Sequence, residues 1–227
     1  RVPYPTWYGY SGVYAQSTYR FPLIHILNRL FVVQYRDFAG EVKTLLFSPS
    51  DVEGNRETPF FKRLVEKFHL PKKAQNVMAP LYNTVESALA STGIRPEQVD
   101  YISYDHLHTQ DIRHWLGTGS QAGFFPNAKL LVHEQEWLST GALLPCQADW
   151  YCPNGIAGVN PQRVITFTGS VQLGRGVALV HSKGHTEGNH SLVARVRDGI
   201  RVTSENGIGA DAYEPKNSRI NSVRRYA

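Results

Sequence analysis

Tyr104-Asp105-His106-Leu107-His108-Thr109-Gln110-Asp111-Ile112-Arg113-His114 is the stretch on which the fold turns. It follows the apolar run Val99-Asp-Tyr-Ile-Ser-Tyr104, which reads as a short strand. It leads into Gln110–Leu116, a helical segment that Thr109 is placed to cap and Gly117 to close. His106 and His108 are two apart, and in extended backbone alternate side chains project to one side, so both imidazoles converge on one point. Zinc takes such nitrogen donors at about 2.0–2.1 Å, and two held rigidly supply half of a tetrahedral shell. Taken alone, a His-x-His pair reads as readily as two surface or core histidines.

A second stretch, Ser182-Lys-Gly-His-Thr-Glu-Gly-Asn-His-Ser-Leu-Val193, changes that balance. A strand, then Gly-His-Thr, then Gly and another strand, places His185 on a tight turn at a sheet edge, where it presents a third nitrogen. With these two stretches the chain resembles the metallo-β-lactamase superfamily, whose members carry a His-x-His-x-Asp-His motif after one strand and a Gly-His-Thr-x-Gly motif later. Phe125-Pro-Asn-Ala-Lys129, the strand after it and the helix at Glu134–Trp137 are similar to the lactonase and glyoxalase-II-like branches, as is Leu173-Gly-Arg-Gly-Val177. The resemblance spans residues 22 to 215. It implies an α+β fold, a four-layer αββα sandwich, with metal at His106, His108 and His185.

The departures from the family pattern carry equal information. In register, Gln110 stands where the family has Asp and Asp111 where it has His, and in a dinuclear site both family residues bind the second metal. Glutamine is a poor zinc ligand and aspartate a capable one; a helix start displaced by one residue would give Asp111 the aspartate's role. The family's bridging carboxylate corresponds to Glu205, in Thr203-Ser-Glu-Asn206, one methylene longer than aspartate, with Asp211 as fallback. No histidine follows His190, so the family's last ligand is either absent or beyond Ala227. The expected cofactor is zinc in one tight site, with the second weak or absent; iron or manganese also suits histidines with a carboxylate. Asp111 or Glu205 is the candidate to orient a metal-activated water or accept its proton.

Outward from these motifs, the chain reads as one domain at residues 22–227, preceded by an extended arm at 1–21 rich in Tyr, Pro and Gly that is suited to packing on a second copy. The runs from His25 to Tyr35 and from Glu41 to Phe47, joined by Asp37-Phe-Ala-Gly40, read as a β-hairpin. Helices are expected at Thr58–Phe68, Asn83–Ser91 and Glu134–Leu138. Strands are expected before His133 and at Val164–Phe167, Val177–Val180, Ser191–Val196 and Ile200–Thr203. Helices alternating with strands, then strands crowded together, suit two packed sheets with helices outside.

The composition sets outer bounds. The chain has 227 residues, 41% hydrophobic and 19% charged, enough for one sizeable core. Its formal net charge is +5, but the basic residues are spread out, with no run beyond Lys72-Lys73 and Arg224-Arg225, which argues against a nucleic-acid-binding stripe. Cys146 and Cys152, with five residues between them, read as free thiols or one local disulfide, not a framework. No stretch approaches the ~18 apolar residues of a membrane span, and no basic-then-apolar signal opens the chain, so a cytoplasmic protein is expected. Residue 1 is Arg and the only methionine is Met78, which leaves room for a removed leader.

His190 and Asp105 are candidates to hold the free ring nitrogens of the ligand histidines. His114 reads as a surface helix position. Trp115, Trp137 and Trp150 flank the expected cleft, with core packing the reading for most of them. The function implied is a metal-dependent hydrolase acting on an ester, lactone or related carbonyl of a small molecule. The alternative is a scaffold or regulatory protein that keeps the fold and one metal but has lost the second half of the site.

Overall fold

The computed structural model describes residues 28–203 throughout, Lys216, and the backbone of two earlier strands, β1 (Val2–Pro5) and β2 (Leu23–Ile26). Glu205, Asp211 and the expected arm other than Val2–Pro5 lie outside the described residues. The chain divides into two compact units. One, built from Arg1–Asn28, Pro71–Tyr82 and Glu205–Ala227, holds the antiparallel pair β1–β2, in register Val2 to Ile26. The other, Arg29–Leu70 with Asn83–Ser204, holds both large sheets and every candidate ligand that is described.

The expected long hairpin divides in two. Leu23–Ile26 pairs with β1, and the hairpin proper is β3 (Phe31–Arg36) with β4 (Val42–Phe47), in register Phe31 to Phe47. Two helices follow, α1 (Val52–Arg56), which sequence reading does not anticipate, and α2 (Pro59–Lys67), with Thr58 at its N-cap position and Pro at its first turn. Helix α3 (Lys72–Met78) belongs to the first unit. Helix α4 (Val85–Thr92) starts on a reciprocal Thr84–Ser87 cap and ends at Gly93, whose φ of +72° is a left-handed stop.

Strand β5 (Tyr101–Ser103) lies parallel to β4, and the short helix α5 (Arg113–Leu116) closes onto a small hairpin, β6 (Gly117–Thr118) with β7 (Gln121–Ala122). Strand β8 (Lys129–His133) joins β5 in parallel and runs into α6 (Glu134–Gly141); β9 (Val164–Phe167) adds a further parallel strand. The five-stranded sheet has the order β3-β4-β5-β8-β9. Strands buried on both faces read as unbroken apolar runs, as Leu45-Leu46-Phe47 and Leu130-Leu131-Val132 do. The second sheet is an antiparallel meander: β10 (Val171–Gly174), β11 (Val177–His181), β12 (His190–Val196) and β13 (Gly199–Val202).

Alternation along β4 shows how the layers stack. Leu46 joins Leu89, Ile102, Trp115, Phe125 and Leu130 in the core between the five-stranded sheet and the helices. Leu45 and Phe47 point the other way and join Leu131, Val177, Leu179 and Leu192 between the two sheets. Each fully buried leucine of this kind contributes roughly 1.5–3 kcal/mol relative to exposure. The arrangement is the expected αββα sandwich, and its parallel strands β4, β5, β8 and β9 carry their loops to one end, where ligands of such sheets are usually held. Both cysteines are free, Cys152 buried and Cys146 exposed.

Candidate metal centre

His106 and His108 leave the end of β5 on an irregular loop, and His185 lies on the β11–β12 loop. Their ligand-capable atoms all fall within 4.8 Å of one another. The ring centroids form a near-equilateral triangle of 4.8, 4.6 and 4.8 Å, with each pair of rings close to perpendicular. His106 Nδ1 is 2.8 Å from Asp105 Oδ2, which fixes the ring and turns Nε2 away from that carboxylate. His108 Nδ1 faces His185 Nε2 at 3.0 Å. Three nitrogens placed tetrahedrally on one zinc stand about 3.3 Å apart, so the triangle needs little adjustment to close on an ion.

Electrostatics keep His108 and His185 in the form that binds metal. Burial pushes the His108 pKa down to about 3, and the neighbouring His106 and His185 push the same way against the opposing pull of Asp105. His185 is lowered too, by burial first and then by His106. Neutral imidazoles present free lone pairs, which is the state a metal requires. The ring of Tyr151 stands edge-on to His108 at 4.7 Å and is buried, whereas His185 is exposed, so the cluster is walled on one side and open on another. The chemistry of this donor set fits a divalent borderline ion such as zinc.

Asp111 is not part of the cluster. Its Oδ1 accepts from the backbone and Nε of Arg113 at 3.0 and 2.9 Å, its Oδ2 accepts from Arg113 Nη2, and the Cys152 thiol lies 3.8 Å away. The sequence reading of Asp111 as a metal ligand thus meets a carboxylate already saturated by its own chain neighbour. The expected Thr109 cap also gives way: Thr109 has a φ of +64°, and the helix is only Arg113–Leu116. The physical reason is competition, because Thr109 N–H donates to Trp150 O at 2.7 Å and Ile112 N–H to Gly155 O at 2.8 Å, so these donors are committed across the loop. Gln110 Oε1 is buried without a hydrogen-bond partner and offers no anionic ligand.

His190 does not support His185. It is fully buried, its Nε2 lies 3.0 Å from Ser103 Oγ, and since that hydroxyl already donates to Leu131 O at 2.7 Å, the oxygen accepts from the ring. Asp105, the companion candidate, does hold one of the three clustered histidines, His106. His114 is exposed, 3.4 Å from Glu86 Oε1. Trp115 is in the core and Trp137 packs against it; Trp150 stacks on Phe60 at 4.4 Å.

One residue that sequence reading passes over stands behind the whole centre. Glu136, in the first turn of α6, is fully buried; its Oε1 accepts from Leu107 N–H at 2.8 Å and its Oε2 from the Thr186 hydroxyl at 2.5 Å. Nothing in the sequence marks it, because acidic residues in a first helical turn ordinarily sit at the surface against the helix dipole.

No family model matches the sequence, and no curated protein matches it. Solved structures do match, and they define the class of fold, the metallo-β-lactamase αββα sandwich. A probable metal-dependent hydrolase from Staphylococcus aureus superposes with a TM-score of 0.62 at 15% identity, over 95% of this chain and 76% of its own. A quorum-quenching N-acyl homoserine lactone lactonase gives 0.59 at 18% identity, over all of this chain and 82% of that one. An N-acyl homoserine lactone hydrolase, solved with its product N-hexanoyl-L-homoserine at the catalytic metal centre, gives 0.56 at 17%, over 95% and 81%.

Proposed function

We propose that this chain is a metal-dependent hydrolase of small carbonyl substrates, esters or lactones, working with one tightly held zinc. The observation that carries the reading is the convergence of three imidazoles, from loops far apart in sequence, with their ligand atoms within 4.8 Å and Asp105 behind one of them. His106 Nε2, His108 Nδ1 and His185 Nε2 would hold the ion. Bound there, zinc would supply Lewis acidity and the means of activating water at neutral pH. The protein's own part is to keep His108 and His185 neutral, to orient His106 through Asp105, and to wall the site with Tyr151. Glu205 is the carboxylate we assign to the water's proton, since Asp111 is engaged by Arg113. The lactonase names among the structural neighbours put N-acyl homoserine lactones first on a substrate panel.

A second reading, a regulatory protein of the same fold that keeps one metal and has no turnover, is favoured by the loss of ligands at Gln110 and Asp111. Both readings place metal on the histidines, and catalysis separates them. The test measures metal per chain by elemental analysis, and hydrolysis of an ester and lactone panel, for the wild type and for His185→Ala and Glu205→Gln. The hydrolase reading expects close to one equivalent of metal, turnover in the wild type, and loss to background in His185→Ala. A metal-loaded wild type that turns over nothing on the panel selects the regulatory reading, and a wild type that holds no metal removes both.

A further inference from the structure

Glu136 is a carboxylate taken wholly out of water, and among the described residues no lysine or arginine pairs with it. Such a group is costly to bury unless its oxygens are satisfied by well-aligned donors. The donors it has are informative. Leu107, which gives its N–H to Oε1, is the residue between His106 and His108. Thr186, which gives its hydroxyl to Oε2, is the residue after His185. The Tyr151 phenol, whose ring abuts His108, is held protonated by burial and then by the nearby Glu136 charge. One carboxylate therefore ties together the two histidine loops.

The backbone agrees with the side chain. At Gly188 a Cβ would lie 2.2 Å from Glu136 N and 2.5 Å from its Cβ, so the His185 loop sits directly on the first turn of α6, at a distance only glycine permits. The glycine of the Gly-His-Thr-x-Gly motif and its threonine thus have one common partner.

We propose that Glu136 is the positioning residue of the metal centre, the tie that holds the His106–His108 loop and the His185 loop, 77 residues apart in sequence, at metal-binding separation before the ion arrives. The proposal rests on the three-histidine reading of that centre. Groups that orient ligands from behind commonly account for about 10- to 100-fold in metal affinity. Glu136→Ala leaves the Leu107 N–H without its acceptor and frees Thr186. Glu136→Gln keeps an oxygen for Leu107 N–H and turns an amide toward the Thr186 oxygen, so it restores the tie in part. Thr186→Val cuts one strand of the tie and leaves the carboxylate in place.

The test compares these three variants with the wild type in zinc affinity by chelator competition, in the visible absorption of the cobalt-substituted protein, and in the melting temperature of the metal-free protein. Expected are zinc affinities at least tenfold weaker in Glu136→Ala and weaker also in Thr186→Val, a changed cobalt spectrum in both, and Glu136→Gln closer to the wild type. A metal-free Glu136→Ala that melts lower but binds zinc with wild-type affinity and spectrum makes Glu136 merely structural and overturns the proposal. If Glu136→Ala does not fold, Thr186→Val and Glu136→Gln decide, and unchanged affinity and spectrum in both overturn it. A wild type that binds neither zinc nor cobalt fails the histidine reading itself, an outcome distinct from variants that match a metal-binding wild type.

Discussion

Asp105 and Asp111 are two acidic residues six positions apart on one loop, and the structure gives them opposite roles. Asp105 is almost fully buried and faces His106 Nδ1 at 2.8 Å, which fixes the orientation of the ring. Asp105→Ala should weaken zinc binding by about 10- to 100-fold, with His106 and His108 themselves unaltered, as read by chelator competition. An affinity within error of the wild type would show that the ring is held by something else. The sequence reading of Asp105 as a partner for a histidine ring matches the contact it makes with His106. The three histidines were legible because identity and spacing carry their chemistry: His106 and His108 share a face by alternation, and Gly184-His185-Thr186 marks a tight turn. The ion pair of Asp111 was not legible, because a carboxylate's partner is chosen by three-dimensional reach, and Arg113 lies close enough to engage both its oxygens. Glu136 stayed invisible for a related reason, since its burial arises only when two distant loops fold over the first turn of α6.

At the scale of elements, most long strands were legible, while the division of the first hairpin, the strand Val171–Gly174 and the loops were not. Val164–Phe167 and the runs ending in Phe47 and His133 announce themselves as apolar stretches bounded by breakers, whereas the length of α5 depends on which carbonyls the Thr109 and Ile112 amides find. Arg163, at the foot of β9, shows how such a loop is held. Its guanidinium donates to Leu116 O at 2.6 Å, to Ala128 O from Nε at 2.9 Å, and to Phe125 O, pinning the end of α5 and the approach to β8 together. All three carbonyls belong to buried residues, and burial also lowers the Arg163 pKa. Lysine carries the charge but not the planar fork, so Arg163→Lys should leave at least one of these carbonyls unsatisfied and destabilise the fold by about 2–4 kcal/mol. Urea unfolding with an unchanged slope and a lower midpoint is the expected record, and an unmoved midpoint would mean that water replaces the fork.

For the molecule as a whole, the interface between the two sheets contains a titrating group, and it sets how the fold responds to acid. His190 opens β12, is fully buried between Phe47 and Phe167, and uses its ring against Ser103 on β5, so it joins one sheet to the other. Burial lowers its pKa to about 4; His133 and His181 push the same way, while the Gly188 carbonyl and Asp105 oppose. The unfolded chain has an ordinary histidine near pKa 6.5 at this position, so between that value and about 4 the unfolded state binds the extra proton. Stability from His190 is therefore fully present above pH 6.5 and is lost as pH falls through the folded pKa, by roughly 3 kcal/mol in all. His190→Phe fits the aromatic surroundings and cannot titrate, so its unfolding free energy should be flatter with pH. Denaturant unfolding of both proteins without metal, from pH 7.5 down to 4, would show the difference between the curves shrinking toward low pH. Parallel curves would mean that His190 titrates alike in both states, and that acid loosens the sandwich elsewhere than at the seam between its sheets.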